Sequence, residues 1–257
     1  MALYTTEITS DQLVSDNPIH QRLLKAYLLA AHHVKGELLE IGCGEGRGME
    51  LFTKQVDRYL AIDKIEAVVN KLSKKYPTVD FRQAHVPPLE GIADNSFDVA
   101  VAFQVIEHLE DDRFFLEEVH RVLKKGGHFI FTTPNIKKSL TRNPWHVREY
   151  TARQLEELTG KVFSEVNMQG ITGNQKVMDY YERNKTSVEK ITRFDIFNLQ
   201  YRLPRSVLQI PYEMMNRLNR NLLKKQNQSL VNDISADDYV LSDQPDLSLD
   251  LMVTAKK

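Results

Sequence analysis

The chain has 257 residues, 42% hydrophobic and 27% charged, with a formal net charge of -1. That composition suits a globular protein of one large domain, or of one domain with an embellishment, and it supplies no global basic field for nucleic acid, so DNA is not an expected partner and RNA is disfavoured. Cys43 is the single cysteine, which excludes an internal disulfide and a four-cysteine zinc site; no signal pattern or membrane-length apolar run is present, so the cytoplasm is the expected compartment.

Residues 17–34 place apolar side chains at 19, 23, 24, 27, 28 and 31, the spacing of a helix, with Asn17 as its cap and Pro18 in its first turn. His32 and His33 fall at the end where positive charge is favoured. "ELLEIG" reads as a buried strand, followed by a loop with Gly42, Gly44, Gly46 and Gly48, and then by a helix over "GMELFTKQV". "RYLAID" is a second strand ending at Asp63, "KIEAVVNKLSKKY" a helix closed by Pro77, and "VDFRQA" a third strand. "FDVAVAF" is apolar nearly throughout, as a central parallel strand should be. "DDRFFLEEVHRVLKKGG" reads as an amphipathic helix stopped by Gly126, and "HFIFTTPN" as a fifth strand.

After Asn135 the alternation loosens. A helix is expected from near Thr151, a strand over "FSEVNMQGIT", mostly helical sequence over 174–245, and a last strand in "LSLDLMVTAKK". The expected organisation is therefore a helical segment at 1–35, a core at 36–173, a helical insertion at 174–245 and a closing strand at 246–257. Strands alternating with helices imply an α/β fold with a mostly parallel sheet covered on both faces. Ligands in such sheets sit at the C-terminal strand ends. That rule selects Gly42–Gly48, Asp63, Ala84 with His85, Phe103 to His108, and Thr133 to Asn135.

The glycine loop narrows the ligand. Its glycines alternate, position 47 is arginine, and neither G-x-G-x-x-G nor a terminal G-K-[ST] is present. Glu40 before it would repel a pyrophosphate and suit a cation. A ligand with an ammonium group and a ribose but no phosphate fits, with Asp63 about 20 residues on as acceptor for the ribose hydroxyls.

"LLEIGCGEGRG", "LAID", "DNSFDVAVAFQVIEHLED" and "HRVLKKGGHFIFTTPN", in this order over about residues 36–165, resemble the class I S-adenosylmethionine-dependent methyltransferases, including the ubiquinone-biosynthesis type. The resemblance implies a Rossmann-like doubly wound α/β fold, with a seven-stranded mostly parallel sheet and a helical insertion before the last strand. It also implies S-adenosyl-L-methionine as cofactor. Carried onto this chain, Glu40, Gly42, Cys43, Gly44 and Gly46 hold the methionine part and Asp63 the ribose, with Ile65 against the adenine. Lys64, Ala84, His85, Phe103 and Gln104 complete the cofactor-binding set; His85 stands where the family often has an acid. Cys43 is read as a small residue chosen for fit.

Methyl transfer from a sulfonium is an in-line displacement that needs a base only if the acceptor loses a proton. The candidate catalytic residues are His108, Glu107 and His146, with His108 first because it follows a strand end. "QVIEHLE" with the later "HVREYT" also resembles small-RNA 2′-O-methyltransferases, in which a glutamate pair and histidines bind a divalent metal. Gln104 replaces the first of those glutamates, which removes a charged ligand, and no metal is assigned. The expected function is methyl transfer to a small-molecule, glycan or lipid-linked acceptor. A metal-assisted RNA ribose methyltransferase and a non-catalytic cofactor- or partner-binding protein are the alternatives. Trp145 is read as either an acceptor wall or core. In the insertion, 204–225 reads as a basic amphipathic helix. The favoured reading is a lid packing its apolar face on the domain, and the alternative is a peripheral membrane contact. Residues 226–246 are read as a mobile loop. Oligomeric state is not legible in the sequence.

Overall fold

The computed structural model describes residues 13–193, 195, 199–226 and 228–257. The first twelve residues of the expected 1–35 helical segment thus lie outside the described residues.

Five strands form the parallel part of the sheet: β1 (Gly36–Ile41), β2 (Val56–Asp63), β3 (Asp80–Gln83), β4 (Phe97–Phe103) and β5 (Leu123–Pro134). Three more extend it, β6 (Glu165–Gly173), β7 (Tyr239–Ser242) and β8 (Asp250–Lys256), in the order β3-β2-β1-β4-β5-β8-β6-β7. β8 runs antiparallel to both neighbours, with Ile130 opposite Thr254 and Met168 opposite Val253, and β7 is antiparallel to β6. The helices are α1 (Asn17–Ala30), α2 (Met49–Phe52), α3 (Glu66–Lys75), α4 (Asp112–Val122), α5 (Ala152–Thr159), α6 (Gln175–Thr192), α7 (Leu199–Arg202), α8 (Arg205–Gln226) and α9 (Gln228–Asp233).

Consecutive strand residues face opposite sides, and both sides are buried. Leu38, Val99, Val101 and Ile130 pack with Tyr27 of α1, Leu72 of α3 and Val177 of α6. Leu39, Ala100, Phe129 and Phe131 pack with Phe115 and Val119 of α4 and Leu155 of α5. Each large side chain so buried contributes roughly 1.5–3 kcal/mol, and this two-sided burial is why the central strands read as apolar runs.

The structure differs from the sequence reading in several elements. Helix α4 stops at Val122 rather than at Gly126, because Leu123 is buried opposite Phe97 and "LKKGG" belongs to β5. Asp16, not Asn17, holds the N-cap position of α1; the Asn17 amide instead donates to the carbonyls of Val231 (2.8 Å) and Ile234 (2.9 Å). Only Met49–Phe52 of "GMELFTKQV" is helical. Among the described residues, eight strands rather than seven are present because "YVLS", inside the expected loop at 226–246, pairs with β6 as β7; α9 occupies part of the same stretch. Helix α8 also turns the opposite way from the expected lid. Tyr212, Asn216, Asn219 and Arg220 face the domain, while Val207, Ile210, Met214 and Leu218 face solvent.

Candidate active site

The C-terminal ends of β1, β2 and β4 open into one cavity of about 810 Å³, roofed by the N-terminal part of α1 and by α6 and α8. Its size is in the range of ligand sites, about 300–1,000 Å³.

The glycine loop forms one wall. The amides of Gly42 and Cys43 both donate to the Ile62 carbonyl (2.7 and 3.1 Å), which bends the chain back across the end of β2. Gly42 has φ +76°, and a Cβ there would lie 2.5 Å from a Val105 methyl. Gly44 has φ +51°, and a Cβ there would meet nothing within 4 Å, so it would project into open space beside the cavity that Gly44 lines. This is the surface expected where a ligand approaches bare backbone. Asp63 is buried, with one carboxylate oxygen accepting from Gly44 N–H (2.8 Å) and the other from Ile65 N–H (2.9 Å). The carboxylate thereby fixes the loop after β1 to the turn after β2 while lining the cavity.

Gly42, Cys43, Gly44, Asp63, Lys64, Ile65, Ala84, His85, Phe103 and Gln104 all line this cavity. Glu40 and Gly46, included in the same set by the resemblance, are not among the lining residues. Glu40 is buried beneath the loop and accepts hydrogen bonds from Tyr27 Oη (2.8 Å) and, at its other oxygen, from Tyr59 Oη. It ties α1, β1 and β2 together. Burial pushes its carboxyl up to about 7, against the two tyrosine hydrogen bonds, which favour ionisation. A Cβ on Gly46, which has φ +81°, would lie 2.8 Å from a Leu72 methyl, so this glycine serves packing. Burial likewise pushes the Cys43 thiol well above its ordinary value, which makes it inert rather than nucleophilic.

The Glu40 environment has a measurable consequence. Glu40 and Glu107 titrate near 7 in the folded chain and near 4.5 when unfolded. Between those values the folded state retains protons that the unfolded state has released. The stabilisation these carboxyls contribute is therefore full below about pH 4.5 and is lost as pH rises through 7, on the order of 3 kcal/mol per carboxyl. His120 and His128, whose pKa values are lowered mainly by burial, oppose this trend. Thermal melts from pH 5 to pH 8 should show a shallower fall for Glu40→Gln, which keeps an acceptor for the tyrosines but does not titrate. Identical slopes would exclude Glu40 as a source.

The second wall carries the histidines. Glu107 and His108 lie in a single tight turn, Ile106–His108, after β4, and His146 lies in the loop before α5. Glu107 accepts Val147 N–H at its carbonyl (2.7 Å), which docks that loop on the turn, and the two imidazole centroids are 5.0 Å apart. The Trp145 carbonyl can only accept, so His108 Nδ1, 2.9 Å away, carries the proton and Nε2 is its basic nitrogen. For His146, Nδ1 is 2.6 Å from Glu149 Oε1 and Nε2 is 2.7 Å from Asn143 Nδ2. Its Nδ1–H donates and its Nε2 accepts, so both nitrogens are held inside the loop. Glu107 is fully buried. One oxygen accepts from Thr133 Oγ1 (2.9 Å), the other has no hydrogen-bond partner among the described residues, and burial pushes the carboxyl up to about 7. The sequence candidates thus come together with different characters: His108 as the basic nitrogen, His146 as a braced neighbour and Glu107 as a buried carboxyl.

Ligand atoms of Glu107, His108 and His146 lie within 4.8 Å of one another, close enough for one cation. Gln104 does not complete that set. Its backbone has φ +58° and its amide donates to Thr132 Oγ1 (3.2 Å). Trp145 is absent from the cavity lining and contributes its carbonyl rather than its ring.

Glu149 and Asn143 were missed by sequence reasoning, although Glu149 follows His146 by three residues in the quoted "HVREYT". The roof was missed as well. Tyr180 and Tyr181 of α6, Tyr212 and Arg220 of α8, and Arg22 of α1 line the cavity. Arg22 pairs with Asp250 at 3.1 Å, and Arg220 pairs at 3.2 Å with Asp16, which Arg217 shares. Asn135, at the end of β5, is buried and donates to the carbonyls of Ser248 (2.8 Å) and Pro245 (3.0 Å), clamping the segment that leads from the insertion into β8.

Residues 39–131 match the family model described as a methyltransferase domain. A probable S-adenosylmethionine-dependent methyltransferase of Mycolicibacterium smegmatis is 41% identical over 160 residues, 60% of this chain and 62% of that protein. A ubiquinone biosynthesis O-methyltransferase of Nitrobacter winogradskyi is 31% identical over 102 residues, 38% of each chain. The chain thus spans less than two thirds of the length of either relative. Among solved structures, an S-adenosylmethionine-dependent methyltransferase of Thermotoga maritima, described as a possible histamine N-methyltransferase, shares the fold with a TM-score of 0.58 at 15% identity, over 95% of this chain and 91% of that one. Residues 39–131 thus match a methyltransferase domain, the relatives the chain resembles are named as S-adenosylmethionine-dependent methyltransferases, and its fold is shared with a solved structure described as one.

Proposed function

We propose that the protein methylates a small-molecule acceptor with an apolar or aromatic body and a protic group, of the quinone or lipid-linked type. The observation that carries this reading is the continuity of the cavity, which runs from the glycine loop and Asp63 past His108 to the tyrosines of the roof. The loop fits the family's cofactor. Gly44 presents bare backbone, and Asp63 is an acceptor for ribose hydroxyls at the end of β2. S-adenosyl-L-methionine, when bound, supplies a methyl group already activated for displacement. Gly42, Gly44 and Asp63 would hold it, with Ile65 and Phe103 of the cavity lining beside them.

The remaining chemistry belongs to the chain. Tyr180, Tyr181 and Tyr212 offer aromatic surface to the acceptor body, beside Arg22 in its ion pair with Asp250 and Arg220 in its ion pair with Asp16. His108 Nε2 takes the acceptor proton, and the imidazolium so formed keeps its Nδ1–H on the Trp145 carbonyl. Glu149 fixes the His146 ring beside it. The relative named as a ubiquinone biosynthesis O-methyltransferase supports an oxygen as the accepting atom.

A second reading, metal-assisted transfer to a hydroxyl, has the cluster of Glu107, His108 and His146 in its favour. One experiment separates the two. S-adenosylhomocysteine is titrated into chelator-treated protein, and methyl transfer to prenylated and simple phenols is then followed with and without divalent metal. Turnover that ignores the chelator is the expected result. Turnover that requires added metal would replace the base by a cation at the same residues, and no binding of S-adenosylhomocysteine would refute both readings.

A further inference from the structure

Helix α8 is amphipathic in the reverse sense. Val207, Ile210, Met214, Leu218 and Leu222 recur every three or four residues and form one stripe, each side chain between 45% and 71% exposed. The opposite face holds Tyr212, Asn216, Asn219 and Arg220 against the cavity, and Asn219 is buried in hydrogen bonds with Ser187 (2.5 Å) and Asn184 (2.8 Å). Arg217 and Arg220 are drawn inward by the buried Asp16. A helix lying on a globular domain ordinarily buries its apolar stripe and shows its polar face. A continuous row of large apolar side chains in water instead marks a surface that meets something else.

The charges at the ends of the row indicate what that is. Exposed Lys225 continues the stripe one turn beyond Leu222, with Lys224 beside it, and exposed Arg202 precedes it in α7 next to exposed Tyr201. Glu213 is the only acid in α8, and it is not on the stripe. Two copies of the chain meeting through this face would bring cations together in either orientation, Lys225 against Lys225 or Lys225 against Arg202. An anionic bilayer surface answers every part of the pattern: acyl chains for the stripe, headgroup phosphates for the cations at both ends, and the interfacial zone for Tyr201.

We propose that the outward face of α8, with the Leu199–Arg202 turn before it, docks this protein on an anionic lipid surface. The inward face of the same helix is the cavity wall, so docking would set the acceptor chamber at headgroup depth, one helix diameter from the bilayer. The inference stands on the helix alone and is independent of the acceptor reading.

The test is co-sedimentation of the full chain with phosphatidylcholine vesicles, with and without phosphatidylglycerol, without cofactor or acceptor. The native protein should pellet with the anionic vesicles and far less with neutral ones. An Ile210→Ser, Met214→Ser, Leu218→Ser variant should lose at least about tenfold in partitioning, and a Lys224→Glu, Lys225→Glu variant should lose its preference for the anionic vesicles. Both should keep the native melting temperature and S-adenosylhomocysteine affinity, since these side chains point away from the core. Absence of pelleting by the native protein, or equal pelleting by the serine variant, would overturn the proposal. So would a lipid-free dimer that the serine variant dissolves, which would make the stripe a self-interface.

Discussion

Asp63→Ala is expected to weaken S-adenosylhomocysteine binding by at least about 100-fold, measured by calorimetry. The Asp63 carboxylate holds two backbone N–H groups, Gly44 at 2.8 Å and Ile65 at 2.9 Å, on opposite sides of the cofactor region. Hydrogen bonds to a charged group contribute roughly 1.5–3 kcal/mol each, and the ribose hydroxyls would add to them. Alanine removes these acceptors and releases the glycine loop. An asparagine side chain would keep one carbonyl oxygen, so Asp63→Asn should fall between alanine and the native chain. A near-native circular dichroism spectrum separates loss of binding from loss of fold, because the carboxylate sits at the rim of the core. Native affinity in a folded Asp63→Ala protein would move the ribose to another residue.

His108→Ala should lower kcat by about 10²–10⁴-fold while leaving S-adenosylhomocysteine affinity within a few-fold of native, the loss typical of a removed general base. His108 is singled out by its hydrogen bonds. The Trp145 carbonyl fixes the proton on Nδ1 and leaves Nε2 as the basic nitrogen, and the His146 ring is held within its loop by Glu149 and Asn143. His146→Gln and Glu149→Gln should accordingly cost less, and chiefly by loosening the loop that Val147 pins to Glu107. Full turnover in His108→Ala would mean that positioning alone accounts for catalysis and that the acceptor arrives deprotonated.

The parts of the fold legible in the sequence are those whose cause is local. The central strands are apolar because both faces are covered, and the glycine loop and Asp63 announce themselves because backbone exposure and a terminal acid are written in adjacent residues. Elements decided by distant contacts were less legible. "LKKGG" carries the lysines and glycine of a helix end, yet Leu123 is claimed by Phe97 across the sheet and the segment becomes strand. "YVLS" is flanked by polar and acidic residues and gains its identity only from its pairing with β6. Periodicity told that α8 has two faces but not which one turns inward. That choice was made by Asp16, Asn184 and Ser187, which capture its arginines and Asn219. In the site, His108 and His146 were named by motif. The roles that distinguish them rest on the Trp145 carbonyl and on Glu149, and neither assignment follows from spacing alone.

Helix α1 serves both halves of the cavity. Tyr27 holds the Glu40 carboxyl beneath the glycine loop, Arg22 and Leu23 face the acceptor chamber, and Asn17 and Pro18 fasten the insertion through Ile234 and Tyr239. Whatever order a ligand on one side imposes on this helix is order that a ligand on the other side no longer has to impose. If the proposed acceptor chamber is occupied, cofactor and acceptor are expected to be energetically linked through this shared support. Linkage is reciprocal, so the factor by which one raises the affinity of the other is the factor by which it is itself held more tightly.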